Sequence, residues 1–576
     1  MFNILQLSAE VLIEIFSSLF FTDILHCKLA CRTFSEVISN SARLTYQIEL
    51  QKAGMLDNPN CFMPMTDKLK MLKDRELAWA TLDHKFVSTV EVPHEPSGLH
   101  DITPGAFLLG IEMQDEEFST NGLQSLRLPS REGEEGFPQW SQFNLGMKIL
   151  DFRPAIEEHD MIAFVVIVPC EEQTGWAKIM AVLRLYSNLD KAPAIALKPD
   201  IVVCYIQTDG ITDPSVSIEI GGENLAIVVA SDLGNLFIFN WKTGEQKHST
   251  KDGPIIVYNL DIVFLREDIL LHPCSHSNAL LVYQVPQASC TDVQHQEEVV
   301  EQIYTLRLPA LSSQSEYTGI SVRTDPVCTS HAGFPRHVAS TRPFTNDTSS
   351  SIIVFNFQVA CRKDNSLTNW VAVVHKKSLL DFMKAEDRGK CNSSTSEIHS
   401  DIPWHHWSRS RTRWFKVDVY NSLFRMNSAG QRYVQLTGPE AGSEDDDDDD
   451  RHNTIHLFDF NPFHVKFMEK RGLQLLSEHH LIVLNVVGAD GHGSDEENRI
   501  DSLDTEGVFD DPLEGYLPYV ELIIDAGTDV DYDALFMDEE RLVGIRTEEH
   551  TYKMKTEIIN LLVHFILEQS LAAGSG

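Results

Sequence analysis

The residues in this chain that could do chemistry are few and scattered. The densest group is PWHHWSRSRTRWF, residues 403–415, which gathers Trp404, His405, His406, Trp407, Arg409, Arg411, Arg413 and Trp414 in an otherwise acidic chain. Aromatic and arginine side chains dominate binding hot spots. Trp404, Trp407, Arg409, Arg411 and Arg413 are therefore candidate substrate-binding residues that would grip an acidic segment. The plainer reading is a strand and turn whose tryptophans pack inside while the arginines pair with nearby acids. Zinc on His405 and His406 is disfavoured, because adjacent residues point apart in a strand and no Cys or third His sits at ligand spacing. GADGHGSDEEN (488–498) has the Asp and Gly of a calcium loop but not the alternating ligands and terminal Glu, so it reads as an acidic loop. His479-His480 reads as a turn. GxSxG, P-loop and HExxH patterns are absent, so no residue is named as catalytic and no cofactor or metal is expected.

Composition narrows the partners. The 576 residues hold 47 Lys and Arg against 85 Asp and Glu, a net charge of −38, which argues against nucleic acid as a general partner. Residues 1–90 are close to neutral, and the excess gathers late, above all in EDDDDDD at 444–450. That run has nothing apolar to bury and reads as a solvated insertion. Ten cysteines without a CxxC pair suit a reducing compartment. The expected location is cytoplasmic or nuclear, not secreted. The apolar stretch LSAEVLIEIFSSLFFTDILHCKLACRTF (7–34) is no secretion signal, since no Lys or Arg precedes Lys28 and Glu10, Glu14 and Asp23 interrupt it. Nor does it reach the ~18 uninterrupted apolar residues of a membrane span.

The elements that must position any site fall into two classes. Val11, Leu12, Ile15, Phe16 and Leu19 recur at helical spacing, with Ser8 placed to cap the start. A break at 20–22 comes next, with Thr22 as the next expected cap and Asp23 favourable to the helix dipole. Ile24, Cys27, Cys31, Phe34 and Ile38 then step by 3, 4, 3 and 4, which predicts two further short helices. Cys27 and Cys31 belong to that face and read as buried thiols. So small a unit rarely buries enough surface to stand alone, which points to docking.

The order of residues here closely resembles an F-box: Leu7, Glu10, Ile15-Phe16, Leu19, Asp23-Ile24, Leu29-Ala30-Cys31-Arg32 and Phe34. One departure is Ser8, where the family has a proline that pre-sets the backbone before the first helix. The resemblance implies a three-helix module, residues 1–40, that binds the Skp-type (S-phase kinase-associated) adaptor of SCF ubiquitin ligases, and through it a cullin and a RING subunit. It implies Leu7, Ser8, Val11, Ile15, Phe16, Leu19, Ile24, Leu25, Leu29, Cys31 and Phe34 as adaptor-binding residues. Residues 43–55 and 67–82 predict two more helices, in a linker spanning 41–85 that packs on the module. Its Arg-Glu-x-Ala-Trp ending resembles the segment after the F-box in many fungal F-box proteins. Its expected role is positioning.

Beyond residue 85 the hydrophobic period changes from 3.6 to 2, and short runs alternate with Gly, Asn, Asp and Pro turns. Leu225–Ala230 recurs at Ile269–Pro273 and Phe237–Trp241 at Leu281–Val285, both at an offset of 44 residues. A period near 44 with up to four strands per unit is the mark of a β-propeller blade. About 480 residues allow at most about eleven blades, and insertions at 386–401, 438–453 and 488–515 reduce that, so seven are expected over 86–571. The landmarks of true WD repeats are missing, and a pair of β-sandwiches is the competing fold. The expected fold class is thus multidomain, α plus all-β. The expected function is a substrate-recognition subunit of an SCF-type ligase, not itself an enzyme, with the propeller binding an unnamed substrate protein. The alternatives are an F-box scaffold that promotes no degradation and an enzyme using the propeller channel.

Overall fold

The computed structural model describes residues 4–82, 85–113, 116–129, 139–208, 213–230, 234–249, 261–286, 300–327, 342–363, 365–390, 400–417, 427–437, 454–471, 482–487, 507–511, 513, 515–525, 532–548 and 553–560. The acidic run 444–450, the insertion 438–453, the loop 488–498 and His479-His480 lie outside them.

The chain opens with helices α1 (Ala9–Ser17), α2 (Phe21–Ala30), α3 (Arg32–Asn40) and α4 (Ala42–Lys52), a short strand β1 (Met55–Asp57), and α5 (Met65–Thr81). Leu12 and Phe16 of α1, Ile24 of α2 and Ile38 of α3 meet Leu44 and Ile48 of α4 in one core. The module therefore draws on α4, past residue 40. Ser8 is the N-cap of α1, but its side chain makes no capping bond. Thr22 does not cap α2: the helix begins at Phe21, with Phe20 at the N-cap. The reason is tertiary. The Phe21 N–H donates to Gln51 Oε1 (3.0 Å), and its ring packs edge-on against Phe463 at 5.0 Å. A distant side chain thus satisfies a first-turn donor that a cap would otherwise serve.

The β region is a succession of units with a four-stranded antiparallel core, two of which carry a fifth strand. β2 (Phe86–Glu91) stands apart from its sequence neighbours. Unit 1 is β3 (Pro96–Thr103), β4 (Ala106–Met113), β5 (Glu116–Arg127) and the first half of β6 (Trp140–Ala155). Gly146, at φ +69°, falls in β6 between Asn144, paired with β5, and Lys148, paired with the strand that follows. The second half of β6 then starts unit 2, with α6 (Ile156–His159), β7 (Met161–Pro169), β8 (Trp176–Leu185) and β9 (Asp200–Gln207). Unit 3 is β10 (Ser215–Gly221), β11 (Asn224–Ala230), β12 (Gly234–Asn240) and β13 (Glu245–Ser249). Unit 4 is β14 (Val263–Arg266), β15 (Ile269–Cys274), β16 (Ala279–Gln284) and β17 (Glu301–Arg307). The 44-residue offset places β11 and β15, and β12 and β16, in equivalent positions.

Unit 5 begins with β18 (Ser315–Thr324). β19 (Phe344–Asn346) then leaves it to pair with β1, and the unit resumes with β20 (Ile352–Cys361) and β21 (Leu367–His375). α7 (Lys376–Lys390), β22 (Ser400–Ile402) and α8 (Trp404–Trp407) precede its outer strand β23 (Thr412–Val417). Unit 6 is β24 (Ser428–Ala429), β25 (Arg432–Thr437) and β26 (Thr454–Asp459), then α9 (Pro462–Arg471) and β27 (Ile482–Val487), then β28 (Tyr519–Asp525). The last unit is β29 (Ala534–Met537), β30 (Arg541–Glu548) and β31 (Lys553–Asn560), and β2 supplies its outer strand.

The seams run in chain order. Leu108 and Phe164 share one hydrophobic cluster between units 1 and 2, and further clusters hold Ala163 with Ile218, Ile238 with Phe264, Leu306 with Phe355, Val373 with Phe458, and Leu457 with Leu542. Phe536 of the last unit packs on Phe107 of unit 1 at 5.3 Å, returning to the start. Sheets that each pack on two successive neighbours, with an N-terminal strand completing the last, make a β-propeller architecture rather than two stacked sandwiches.

Two expected loop insertions carry structure. Residues 386–390 are the last turn and a half of α7, whose Leu379, Phe382 and Met383 are buried between units 4 and 5. From the insertion 488–515, Val508, Phe509 and Leu513 join the same core, and Leu311 and Phe509 form a β-bridge. Apolar residues within a charged stretch were the overlooked signal.

Candidate docking surface

The N-terminal helices meet two different environments. Toward the propeller, α4 and α5 are fastened in place. Asn58 donates to the Arg342 carbonyl (2.7 Å) beside the β1–β19 pair, and Asn461 donates to the Lys52 carbonyl (2.8 Å). Arg75 and Trp79, both buried, donate to the same Glu539 carbonyl at 2.7 and 3.1 Å. Arg432 lies over the Trp79 ring at 5.2 Å and bridges Glu76 (2.7 Å) and Asp459 (3.0 Å), and His464 also meets Asp459 at 2.8 Å. Burial alone would raise the carboxyls of Asp459 and Glu76. Arg432, joined by His464 at Asp459 and by Arg75 at Glu76, outweighs it and holds both below the usual carboxylate range. Ala78, Trp79 and Leu82 enter the hydrophobic seam between unit 6 and the last unit.

Away from the propeller the module leaves an apolar face open. Val11 and Ile15, one turn apart on α1, are 44% and 37% exposed, and Leu29 at the end of α2 is 85% exposed. Ile4 and Leu5 in the preceding 3-10 turn are exposed as well, and sequence reasoning omitted them. Leu7, Leu19, Leu25, Cys31 and Phe34 are half-buried at the rim, and Ser8 is exposed. Phe16 and Ile24 belong to the internal core instead, so they shape this face from beneath and cannot touch a partner. The same periodicity marks both sides of an amphipathic helix packed on two fronts, so spacing alone did not separate them. Ser8 has φ −66°, the value a proline ring would fix, with an extended ψ of 158°. The family's proline is absent, but its conformation is present.

The basic aromatic stretch at 403–415 is mostly interior. It folds as the helical turn α8 and the strand β23, not as strand and turn. Trp404 and Trp407 are buried in the seam between units 4 and 5, where Trp404 meets Trp407 at 5.1 Å and Trp414 at 5.6 Å. Trp407 Nε1 donates to the Arg307 carbonyl (2.9 Å). Arg413 is buried, donates to the Gly515 carbonyl (2.7 Å) and lies 4.8 Å over Tyr519. Arg411 lies 4.8 Å over Phe382 and donates to the Trp407 carbonyl. Trp404, Trp407 and Arg413 therefore present nothing to a substrate. Arg409 is exposed, beside Tyr516.

Where the innermost strands approach one another, the axis is filled by ion pairs. Arg153 of β6 meets Asp101 of β3 (3.2 Å) and Glu219 of β10 (3.0 Å), and Arg323 of β18 reaches Asp101 (2.9 Å). A unit-5 arginine bound to a unit-1 carboxylate spans the ring, so at this level the protein's own side chains occupy the channel. Among the described residues no group of three or more His, Cys, Asp or Glu is placed to hold a metal, and no helix is long and apolar enough to cross a membrane.

Residues 4–46 match the F-box domain family. The chain carries an F-box domain followed by a β-rich region with propeller-like structural neighbours. One is Hsv2 of Kluyveromyces lactis, at 12% identity and TM-score 0.24, covering 37% of this chain and 62% of that one. Another is the Cps50 (Swd1) β-propeller domain of Myceliophteria thermophila, at 11% identity and TM-score 0.23, covering 47% and 77%. A third is Raptor of Chaetomium thermophilum, at 9% identity and TM-score 0.28, covering 65% and 24%. Likenesses this slight carry no argument, and the propeller assignment stands on strand order and seams. No curated protein matches the chain in sequence.

Proposed function

We propose that this chain is the substrate-recognition subunit of an SCF-type ubiquitin ligase. Its F-box binds the Skp-type adaptor, and through it a cullin and a RING subunit, and its β region, read as seven blades, binds a client protein. The observation that carries this reading is the open apolar face of Val11, Ile15 and Leu29 on a module whose other side is locked to the propeller. The chain makes and breaks no bonds in this scheme. It raises the effective concentration of a client lysine near the ubiquitin carrier, and a rigid arm keeps that concentration high.

The arm docks on connections that share one face: β18–β20, β24–β25, β26–β28 and β29–β30. The opposite face, where β7–β8, β15–β16 and β20–β21 turn, is clear of the arm and is the proposed client side. Thr437 and Thr454, the paired residues that flank 438–453, lie on that side. A non-degradative F-box scaffold is the alternative.

The deciding experiment compares cells expressing the full chain with cells expressing Val11→Asp/Ile15→Asp, by quantitative mass spectrometry of co-purified proteins and of ubiquitin remnants. The proposal expects adaptor and cullin with the wild type alone, and at least one bound client whose ubiquitination falls in the variant. Adaptor binding with no client of that kind identifies the scaffold.

A further inference from the structure

The outer strand of each unit is an edge with unpaired backbone groups, and edges are normally protected. This protein shows its protections openly. β17 is capped by the added parallel strand β22, and β28 by the added antiparallel strand β27. Backbone bonds from Tyr516 to Arg409 (3.2 Å) and from Leu517 to Thr412 (3.1 Å) cover β23. β13 reads Glu-Gln-Lys-His-Ser, which is polar throughout.

Among the described residues β9 has none of these devices. It reads DIVVCYIQ, with no charge between Asp200 and Gln207, and it ends its sheet. Its exposed surface is apolar: Val202 and Tyr205 on the strand, the latter 55% exposed, and Ile195 and Leu197 just before it, the latter 78% exposed. Val202 sits opposite Met180 and Tyr205 opposite Lys178, so these four side chains share one face of the sheet. Asp200 is engaged by Arg184 at 3.0 Å. Lys178 makes no ion pair among the described residues.

We propose that β9 is a docking edge for an extended segment of a partner protein, which adds to unit 2 as a fifth strand. The partner segment turns apolar side chains toward the Val202 and Tyr205 face and carries on that same face a carboxylate that meets the Lys178 side chain, which reaches from β8. Its backbone completes the ladder, as β22 and β27 do within the chain, and side-chain pockets at alternate positions set its sequence. This assignment does not depend on adaptor binding, because β9 lies on the rim of unit 2 and the arm docks on units 5 and 6 and the last unit.

The test selects random peptides on phage against the full chain, with Val202→Asp/Tyr205→Asp as the counter-selection target. Both substituted side chains are exposed, and an unchanged melting curve verifies the fold. The expected winners alternate apolar residues around an Asp or Glu, and synthetic copies bind the double variant about tenfold or more weakly, by fluorescence anisotropy. N-methylation of alternate amides on the pairing edge abolishes binding. Lys178→Glu shifts preference toward peptides with Lys in place of the acid. The proposal is overturned if selection yields no such peptide, or if winners bind the double variant within twofold or survive N-methylation. It is also overturned if sedimentation shows the wild type dimerising through this edge, which would make the occupant a second copy.

Discussion

The two sides of the N-terminal helices are built from the same residue types and end in opposite states. On the propeller side, Trp79, Arg75 and Arg432 are buried against partners within the chain. On the far side, Val11, Ile15 and Leu29 stay exposed, Leu29 almost entirely. A hydrophobic face left open beside a closed seam is what the proposed adaptor docking requires. The difference also separates the tasks: the seam sets the direction of the open face, and the open face sets the class of partner.

The largest expected effects come from breaking the closed side. Trp79→Ala removes a buried ring, its bond to Glu539 and its contact with Arg432, and is expected to destabilise the protein by about 3–5 kcal/mol in urea unfolding. Phe16→Ala is expected to cost about as much, because that ring is core, whereas Val11→Ala on the same helix is expected to change stability by no more than about 0.5 kcal/mol. Equal losses at Phe16 and Val11 would erase the distinction between the two sides.

The seam also has a pH signature. Because the Asp459 carboxyl is held below its ordinary value, the folded state binds fewer protons than the unfolded state in acid. Its stabilisation is present above the ordinary carboxylate range and is lost as pH falls below about 4 toward the folded value. Wild type is therefore expected to exceed Asp459→Asn in stability near neutral pH, with the gap closing in acid, as read by urea unfolding at several pH values. A gap that stays constant would remove Asp459 from the account. The smallest effect is at Ser8, whose φ already suits proline. Ser8→Pro is expected to stabilise by about 0.4–1 kcal/mol through the unfolded chain, without weakening adaptor binding.

Much of this was legible in the sequence, and the limits have physical causes. Helical and strand periods separated the module from the propeller, and the 44-residue offset located equivalent strands in units 3 and 4. Spacing could not tell Phe16 from Ile15, because α1 packs on one front and is open on the other. The burial of Trp404 and Trp407 agrees with the plainer packed reading, but spacing could not place Arg413, because a buried Arg stacked on Tyr519 has the same one-letter signature as an Arg aimed at a ligand. It also missed the partners of Arg75 and Trp79, which lie more than 450 residues away in the chain. Contacts that arise only when a ring closes leave no local pattern.

The central claim is that the face bearing Val11 and Ile15 is the adaptor-binding surface. Isothermal titration of purified Skp-type adaptor into the full chain and into Val11→Asp/Ile15→Asp tests it directly, with matched melting curves verifying the fold. Placing two carboxylates in a desolvated apolar interface is predicted to weaken binding about a hundredfold or more. Binding by the double variant within about threefold of wild type would contradict the account.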